Sequence, residues 1–178
     1  MSYIHVPHVQ PMEHRTLFQL LRVQAKAHPN KEAFVFRDTT KIRIPITFQE
    51  CENKSQSLAM GLLHIGLCRG DRVLVLVPSC PEFVFVYLAL NRIGAIAIID
   101  QEDNYSTIKN IKNLACVISK TDYQLPLGQQ VVQEIHSLLQ ERDNFKAVLI
   151  NSENAEDLVK ENRVYTYGYL LTVVEKSP

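Results

Sequence analysis

The chain has 178 residues, of which 46% are hydrophobic and 21% are charged, values typical of a folded globular domain with a sizeable core. Nineteen basic and nineteen acidic side chains give a formal net charge of zero, so charge provides no reason to expect a nucleic acid or an anionic membrane as a partner. The longest apolar stretch, residues 83–99, is interrupted at Asn91 and Arg92 and is too short to predict a transmembrane segment.

Residues 1–15 are polar and contain two prolines, and we predict an extended N-terminal arm with no apolar run of a signal peptide. His5 and His8 in this arm have no third metal ligand nearby, so we interpret them as solvated histidines. None of the four cysteines belongs to a CxxC pair, and we predict that all are reduced thiols of an intracellular protein. They are Cys51, Cys68, Cys80 and Cys116.

The first predicted helix begins at Thr16, which forms a capping box with Gln19, and reaches about His28. Its apolar positions fall on one helical face, which we predict to be buried. They are Leu17, Leu20, Leu21 and Ala25.

A hairpin and a second helix follow. Residues 33–36 and 41–45 read as paired strands, with turn-forming residues at 38–40 between them. Thr47 and Glu50 form a second capping box. The helix that they begin has a buried face and is stopped by a glycine. The buried face comprises Cys51, Ser55, Leu58, Ala59 and Leu62, and the glycine is Gly66.

The stretch from 66 to 100 predicts a strand, a helix and a second strand. Residues 73–77 and 95–99 are continuous apolar runs, which suit parallel strands that are buried on both faces. The intervening helix is predicted at 82–93, and it is apolar almost all round, so we expect it to be largely buried. Ser79 stands at capping-box spacing from Glu82, and Gly94 is placed to end the helix in a left-handed conformation.

The same rhythm continues to the end of the chain. The pattern predicts a short helix from Ser106 to about Asn113, a strand at 115–119, a helix at 129–142, a strand at 146–150, a surface loop at 151–162 and a last helix at 166–176. This alternation predicts an α/β fold, with a mostly parallel sheet flanked by helices.

Several segments resemble the AMP-forming acyl-CoA synthetases of the adenylate-forming superfamily. The central one begins GDRV at Gly70 and continues after the strand as PSCPEFVFVYLALNRIGAIAIID. Shorter matches are TLFQLL from Thr16, TFQEC from Thr47 and TYGYLL from Thr166, so the resemblance runs from Thr16 to the last residue. Cys51 stands where the family usually has leucine. The chain looks most similar to the medium-chain branch called acyl-CoA synthetase family member two.

This resemblance implies that residues 16–178 form a single incomplete N-terminal subdomain of the synthetase fold. A complete member would use ATP, Mg²⁺ and CoA to convert a carboxylic acid to its acyl-CoA. The family's Ser/Thr/Gly-rich phosphate loop, which ends in Pro-Lys, and its catalytic lysine have no counterpart in these 178 residues. We therefore expect the fragment to be inactive, and we assign no catalytic, cofactor-binding or metal-binding residue to it.

Three charged positions invite a functional interpretation. We interpret Asp71 and Arg72 as a turn with a surface or interdomain salt bridge rather than as ligand contacts. Asp100 ends a buried strand, which is where ligand sites of α/β proteins often lie, but no partner acid or phosphate loop accompanies it.

The function therefore has three candidate interpretations. The first is the N-terminal fragment of an acyl-CoA synthetase, whose partner would be the remainder of that enzyme. The second is a non-catalytic protein that pairs with or regulates a full-length synthetase subunit. The third, a phospho-receiver-like module, is disfavoured because Arg37-Asp38 offers one acid where a pair is needed. The expected location is intracellular: cytoplasmic, or mitochondrial by resemblance although no presequence is visible.

Overall fold

The computed structural model of the protein describes residues 16–37, 42–99, 107–120, 125–151 and 156–173. The predicted arm, the hairpin turn at 38–40, Asp100 and Ser106 lie outside these ranges. The helices are α1 (Leu17–Ala27), α2 (Phe48–His64), α3 (Pro81–Ile93), α4 (Thr107–Asn110), α5 (Leu125–Glu141), α6 (Glu156–Val159) and α7 (Tyr167–Thr172). The strands are β1 (Glu32–Arg37), β2 (Arg43–Thr47), β3 (Arg72–Leu76), β4 (Ile96–Ile99), β5 (Leu114–Lys120), β6 (Lys146–Ile150) and β7 (Val164–Thr166).

The strands form two sheets. β1 and β2 pair antiparallel, which confirms the predicted hairpin. The larger sheet has the order β4-β3-β5-β6-β7, and every pairing in it is parallel. The predicted α/β class is therefore confirmed, as are its four predicted strands. Among the described residues, the sheet has one strand more than predicted. This strand is β7, whose first two residues fall between the predicted loop and the predicted last helix.

The direction in which successive strands are added to the sheet reverses between β3 and β5. The chain leaves β3 through α3 and adds β4 on one side of it. It then returns across the sheet and adds β5 on the other side of β3, and β6 and β7 continue outward from there. In open α/β sheets, such a switch point leaves a crevice outside the carboxyl ends of the two strands.

The sheet is covered on both faces, as the continuous apolar runs predicted. Alternate side chains of a strand point to opposite faces. Val73, Val75 and Ile118 pack in the core that α1, α2, α3 and α7 cover. Leu74 and Val117 pack in the second core, which includes residues of α4, α5 and α6.

The helix ends agree only in part with the predicted caps. Thr16 forms the predicted capping box with Gln19 in both directions, and Thr47 accepts a hydrogen bond from the Glu50 backbone. The predicted Ser79 cap of α3 is wrong, because Cys80 is the N-cap residue and makes no side-chain capping bond. Pro81 then occupies the first helical position, where its missing N–H costs nothing.

Two other expectations need correction. Leu17 and Leu20, which the pattern placed on the buried face of α1, are 41% and 38% exposed, and only Leu21 and Ala25 are buried. The segment 151–162, predicted as a loop, contains the short helix α6. The buried face of α2, by contrast, is confirmed at all five predicted positions.

The last helix packs very closely on the second. A Cβ atom added to Gly61 of α2 would lie 2.4 Å from the carbonyl oxygen of Leu170 in α7. Contact this close requires a residue without a side chain, so glycine at position 61 allows α7 to dock. Within the described residues, no helix is long and apolar enough to cross a membrane.

Candidate functional site

The charged turn before β3 has a structural explanation. The Asp71 carboxylate accepts a 2.8 Å hydrogen bond from the Cys68 backbone N–H, and the Cys68 thiol lies 3.4 Å from the same oxygen. The Asp71 carbonyl accepts a bond from the Ile96 N–H and so links the start of β3 to β4. Asp71 therefore stabilises the turn and the strand entry.

Arg72 lies beside this turn and is exposed. Its guanidinium donates a 3.2 Å hydrogen bond to the Lys112 carbonyl, just before β5. Both charged residues thus lie at the amino edge of the sheet, opposite the edge where ligands of α/β proteins bind. An open cavity of about 670 Å³ at this amino edge is lined by residues that begin β5 or precede β5 and β6, including Asn113 and Asn144.

A second cavity lies at the carboxyl edge, at the switch point between β3 and β5. It has a volume of about 660 Å³ and is lined by Ser79 and Glu82, which follow β3, and by Lys120, the last residue of β5. Residues of the β1–β2 hairpin form the opposite wall, among them Phe36 and Ile46. We call this cavity the switch-point crevice.

The switch-point crevice has apolar walls and several charged groups. Among the described residues, its charged lining consists of three cationic side chains, Arg37, Lys54 and Lys120, and two carboxylates, Glu50 and Glu82. Lys54 is 3.1 Å from Glu50 and also lies over the Phe85 ring, 4.9 Å from its centroid. That carboxylate is therefore already neutralised by a neighbour on its own helix.

Tyr167, the first residue of α7, also lines the crevice, and its hydroxyl is buried. Within the described residues, this hydroxyl has no hydrogen-bond partner. Burial raises the pKa of Tyr167 far above its ordinary value, and the nearby Glu82 carboxylate raises it further. The phenol is therefore neutral and retains a proton to donate.

Cys80 lies at the same place, at the N-cap of α3. Burial, and then its hydrogen bond with Glu82, raise the pKa of the Cys80 thiol to about 11. A thiol with this pKa is almost wholly protonated near neutrality and is a poor nucleophile. Cys80 is therefore a packing residue of the crevice rather than a reactive group.

The other cysteines are also unreactive in character, and all four are free thiols, as predicted. Burial raises the pKa of Cys51 to about 11 and that of Cys116 to about 12. The hydrogen bond to Asp71 raises the pKa of the exposed Cys68. Among the described residues, no group of three or more histidine, cysteine or carboxylate side chains could hold a metal ion.

Sequence analysis did not identify the crevice. It marked Asp100, which lies outside the described residues, because that residue follows a strand, and the same rule applied to β3 and β5 would have indicated Ser79 and Lys120. Nothing in the local sequence connects Tyr167 with these residues, because the position of α7 depends on its packing against α2, β6 and β7.

An all-parallel sheet with helices on both faces and a switch point between β3 and β5 defines a doubly wound α/β fold. The profile of the AMP-binding enzyme family matches residues 21–162, and the chain therefore belongs to that family, as the N-terminal region of an AMP-forming acyl-CoA synthetase. Residue patterns alone had indicated this resemblance, and the match confirms it.

Similar proteins with curated names are acyl-CoA ligases. The acyl-CoA ligase SID4 of Ajellomyces capsulatus is 34% identical over 99 residues, which are 56% of this chain and 16% of that protein. The mitochondrial medium-chain acyl-CoA ligase ACSF2 of Danio rerio is 33% identical over 97 residues, 54% of this chain and 16% of that protein. The aligned part therefore spans only about a sixth of these relatives.

Solved structures agree with the fold. Acetoacetyl-CoA synthetase from Streptomyces lividans has a TM-score of 0.67 at 19% identity. The alignment covers 88% of this chain and 25% of the synthetase chain. A protein from Rhodopseudomonas palustris named as a long-chain-fatty-acid CoA ligase has a TM-score of 0.64 at 22% identity. The alignment covers 90% of this chain and 37% of that protein. At these identities, the likeness establishes the fold alone.

Proposed function

We propose that residues 16–178 form one incomplete subdomain, the N-terminal scaffold of an acyl-CoA synthetase. The complete enzyme would activate a carboxylic acid with ATP and Mg²⁺ and transfer the acyl group to CoA. The observation that carries this proposal is the family match over residues 21–162, together with relatives that are named acyl-CoA ligases. Its free thiols suit a location inside the cell, and the mitochondrial relative makes the mitochondrion one of the two candidate compartments, with the cytoplasm the other.

We infer further that this chain catalyses no adenylation on its own. Adenylation needs preorganised donors around the triphosphate, supplied by a glycine-rich loop and cations. The six glycines of the sequence form neither a GxxxxGK(S/T) nor a GxGxxG pattern, and no Ser/Thr/Gly-rich segment ends in Pro-Lys. Asp71 and Arg72 have structural roles, because each forms a hydrogen bond with the backbone at the start of the sheet.

ATP–pyrophosphate exchange tests this inference. The purified chain is assayed with ATP, Mg²⁺ and fatty acids of several lengths, beside a full-length acyl-CoA synthetase as the positive control. The expected result is exchange at background. Exchange above background that is abolished by substituting a residue of this chain would place an adenylation site within it and overturn the inference.

The surface of the chain favours a partner. Exposed large apolar side chains lie on α1 and on the β1–β2 hairpin, where several are about 40% accessible. They are Leu17, Leu20, Val23, Phe34, Val35 and Ile44. Leaving apolar surface in water costs roughly 25 cal/mol per Å², and extended patches promote association. We propose that the remainder of a synthetase covers part of this surface.

A second candidate function uses the same exposed surface. Here the chain is a non-catalytic protein that pairs with or regulates a full-length synthetase. Transcript sequence beyond the codon for Pro178 separates the two candidates: an in-frame Ser/Thr/Gly-rich loop ending in Pro-Lys supports the enzyme fragment, whereas a stop codon supports the pairing protein. Light scattering then tests association, because a monodisperse monomer that binds no hydrophobic dye would contradict the exposed-interface proposal.

A further inference from the structure

Charge is distributed unevenly along the sequence, although the net charge of the whole chain is zero. The first 47 residues contain seven Lys or Arg and three Asp or Glu side chains, a net charge of +4, and the remaining residues contain twelve and sixteen, a net charge of −4. The first segment includes α1 and the β1–β2 hairpin. It therefore attracts anions, although the net charge of the whole chain predicts no such attraction.

The same segment contains much of the exposed apolar surface. Among the described residues, thirteen large apolar side chains are exposed, and seven of them precede residue 48. Three of these, Leu17, Leu20 and Val23, recur at every third position of α1 and so lie within an arc of about 120°. The buried residues Leu21 and Ala25 face the core instead. The apolar face of α1 is thus wider than the core that covers it.

The charges of α1 are all positive. Its sequence contains Arg22 and Lys26 and no acidic residue, and Lys26 lies about one turn beyond Val23. Long basic side chains can lay their apolar stems along such a surface and extend the charge beyond it. Two carboxylates of the neighbouring helix α2 are already neutralised, because Glu50 pairs with Lys54 and Glu52 pairs with Arg92.

This composition favours a lipid surface over a protein partner. Protein interfaces are enriched in Tyr, Trp and Met and depleted in Lys. Residues 16–47 contain no Tyr, Trp or Met, whereas three of their six basic residues are Lys. A helix that combines an exposed apolar stripe with Lys and Arg is typical of proteins that lie on the surface of an anionic membrane.

From these observations we propose that α1 docks the protein on an anionic lipid bilayer, with Leu17, Leu20 and Val23 among the headgroups and Arg22 and Lys26 near the lipid phosphates. The cations of the hairpin add a longer-range attraction, which salt screens. The apolar side chains of the hairpin are left for the remainder of a synthetase. Lipid binding needs neither adenylation nor that remainder, so the proposal goes beyond the proposed function and fails or succeeds independently of it.

The test sediments the full chain with sucrose-loaded vesicles. One set contains phosphatidylcholine alone, and the other contains equal amounts of phosphatidylcholine and phosphatidylglycerol. The expected result is binding to the anionic vesicles that is roughly tenfold tighter, because each basic side chain near an anionic surface strengthens binding severalfold. This binding should weaken as sodium chloride is raised. Equal binding to both sets, or anionic binding that salt does not change, would overturn the proposal.

A pair of double variants locates the cations. Arg22→Gln/Lys26→Gln should weaken binding to the anionic vesicles roughly tenfold. Arg69→Gln/Lys112→Gln removes two exposed cations outside the first 47 residues and should change the affinity less than about twofold, because charges distant from the surface are screened. Equal losses in the two double variants contradict the assignment of the docking face.

Two serine variants test the apolar stripe. Leu20→Ser should weaken binding roughly threefold by removing inserted apolar surface, whereas Leu63→Ser, at an exposed position of α2, should bind as the unmodified chain does. Equal effects of the two variants would show that the stripe is not inserted. Thermal melts verify folding, and the lipid and salt dependence of the unmodified chain decides if a variant does not fold.

Light scattering without vesicles distinguishes the other possible occupants of the α1 face. A dimer that Leu20→Ser dissociates, in a chain that binds no vesicle, would assign the face to a second copy and show that the proposal is wrong. Binding to a full-length synthetase that Leu20→Ser abolishes, again without vesicle binding, would assign it to that protein.

Discussion

Arg92 of α3 and Glu52 of α2 form an ion pair of 2.6 Å between side chains that are only 16% and 10% exposed. The same Nη2 atom of Arg92 lies 3.3 Å from the Ser55 hydroxyl, and the guanidinium carbon lies 5.5 Å from the centroid of the Phe18 ring. One arginine therefore connects α1, α2 and α3 on one face of the sheet. A pair this well shielded is costly to break on one side, because the remaining charge stays buried.

Arg92→Met is therefore expected to lower the free energy of unfolding by about 3 kcal/mol, since it leaves Glu52 without its partner. The double variant Glu52→Gln/Arg92→Met removes both charges and should recover a large part of this loss. Urea unfolding followed by circular dichroism measures both values. As a control, Glu50→Gln breaks the exposed pair with Lys54 and should cost less than about 1 kcal/mol. Equal losses for the buried and the exposed pair would contradict the role given to Arg92.

The contact between α2 and α7 gives a second test. Gly61→Ala would place its Cβ 2.4 Å from the Leu170 carbonyl oxygen, a backbone atom that can move only if α7 moves. We expect a loss of stability of about 2 kcal/mol or more, typical of overpacking. Gly168→Ala in α7 is the matched control: nothing lies within 4 Å of its added Cβ, and better helix propensity should make it neutral or stabilising by at most about 1 kcal/mol. Similar melting temperatures for the two variants would contradict the conclusion that the close contact of α2 with α7 requires glycine at position 61.

Arg163, which directly precedes β7, donates several hydrogen bonds to backbone carbonyls at the end of α5. Its Nη2 donates to the Leu139 carbonyl at 2.5 Å, and its Nη1 donates to the carbonyls of Arg142 and Asp143 at 2.6 Å each. The guanidinium thus satisfies backbone acceptors at the carboxyl end of α5, a task suited to its planar fork of donors.

Arg163→Met is accordingly expected to lower the free energy of unfolding by about 3 kcal/mol, since hydrogen bonds from charged donors are worth about 1.5–3 kcal/mol and are not additive. Arg163→Lys should rescue little of the loss, because an ammonium cannot reproduce the fork. Arg72→Met is the control, since that arginine makes a single 3.2 Å bond to a backbone carbonyl. Chemical denaturation gives the comparison, and a full rescue by lysine would show that charge alone is sufficient.

Cys116 predicts how stability depends on alkaline pH. Burial raises the pKa of its thiol from 9.0 to about 12, so folding favours the protonated form. This contribution is fully present below pH 9 and is lost as pH rises towards the folded-state pKa, at about 1.4 kcal/mol per pH unit for one group. Cys51 and Cys80, each with a pKa raised to about 11, add to the same slope.

Cys116→Ala should therefore make the plot of unfolding free energy against pH shallower between pH 9 and 11 by about one group's contribution. Cys68→Ala, at an exposed position, should change the slope less. Urea titrations at several pH values measure the slopes, and parallel curves for the unmodified chain and Cys116→Ala would contradict the assignment.

Local sequence patterns were sufficient for most elements of the fold. Elements that depend only on neighbouring residues were predicted correctly, among them the strands at 73–77 and 146–150 and the capping box at Thr16. The prediction was wrong where tertiary packing determines which face of a helix is buried. Leu17 and Leu20 have helical spacing on α1, but the core receives only the face that carries Leu21.

Local sequence patterns predicted neither strand β7 nor the crevice, for different reasons. β7 has three residues, and its last residue, Thr166, also caps α7, so the helix signal concealed the strand. The strand order, and with it the switch point, depends on contacts between distant segments rather than on spacing. The crevice joins Lys120 and Tyr167 through that order, which no single motif encodes.

The close docking of α7 on α2 has a consequence for how the protein is made. During synthesis, α2 leaves the ribosome long before Leu170, so the groove at Gly61 stays open while the sheet assembles. Contacts between residues so far apart in sequence slow folding, because a long loop must close before they form. The nascent chain therefore exposes this groove to chaperones until α7 emerges from the ribosome.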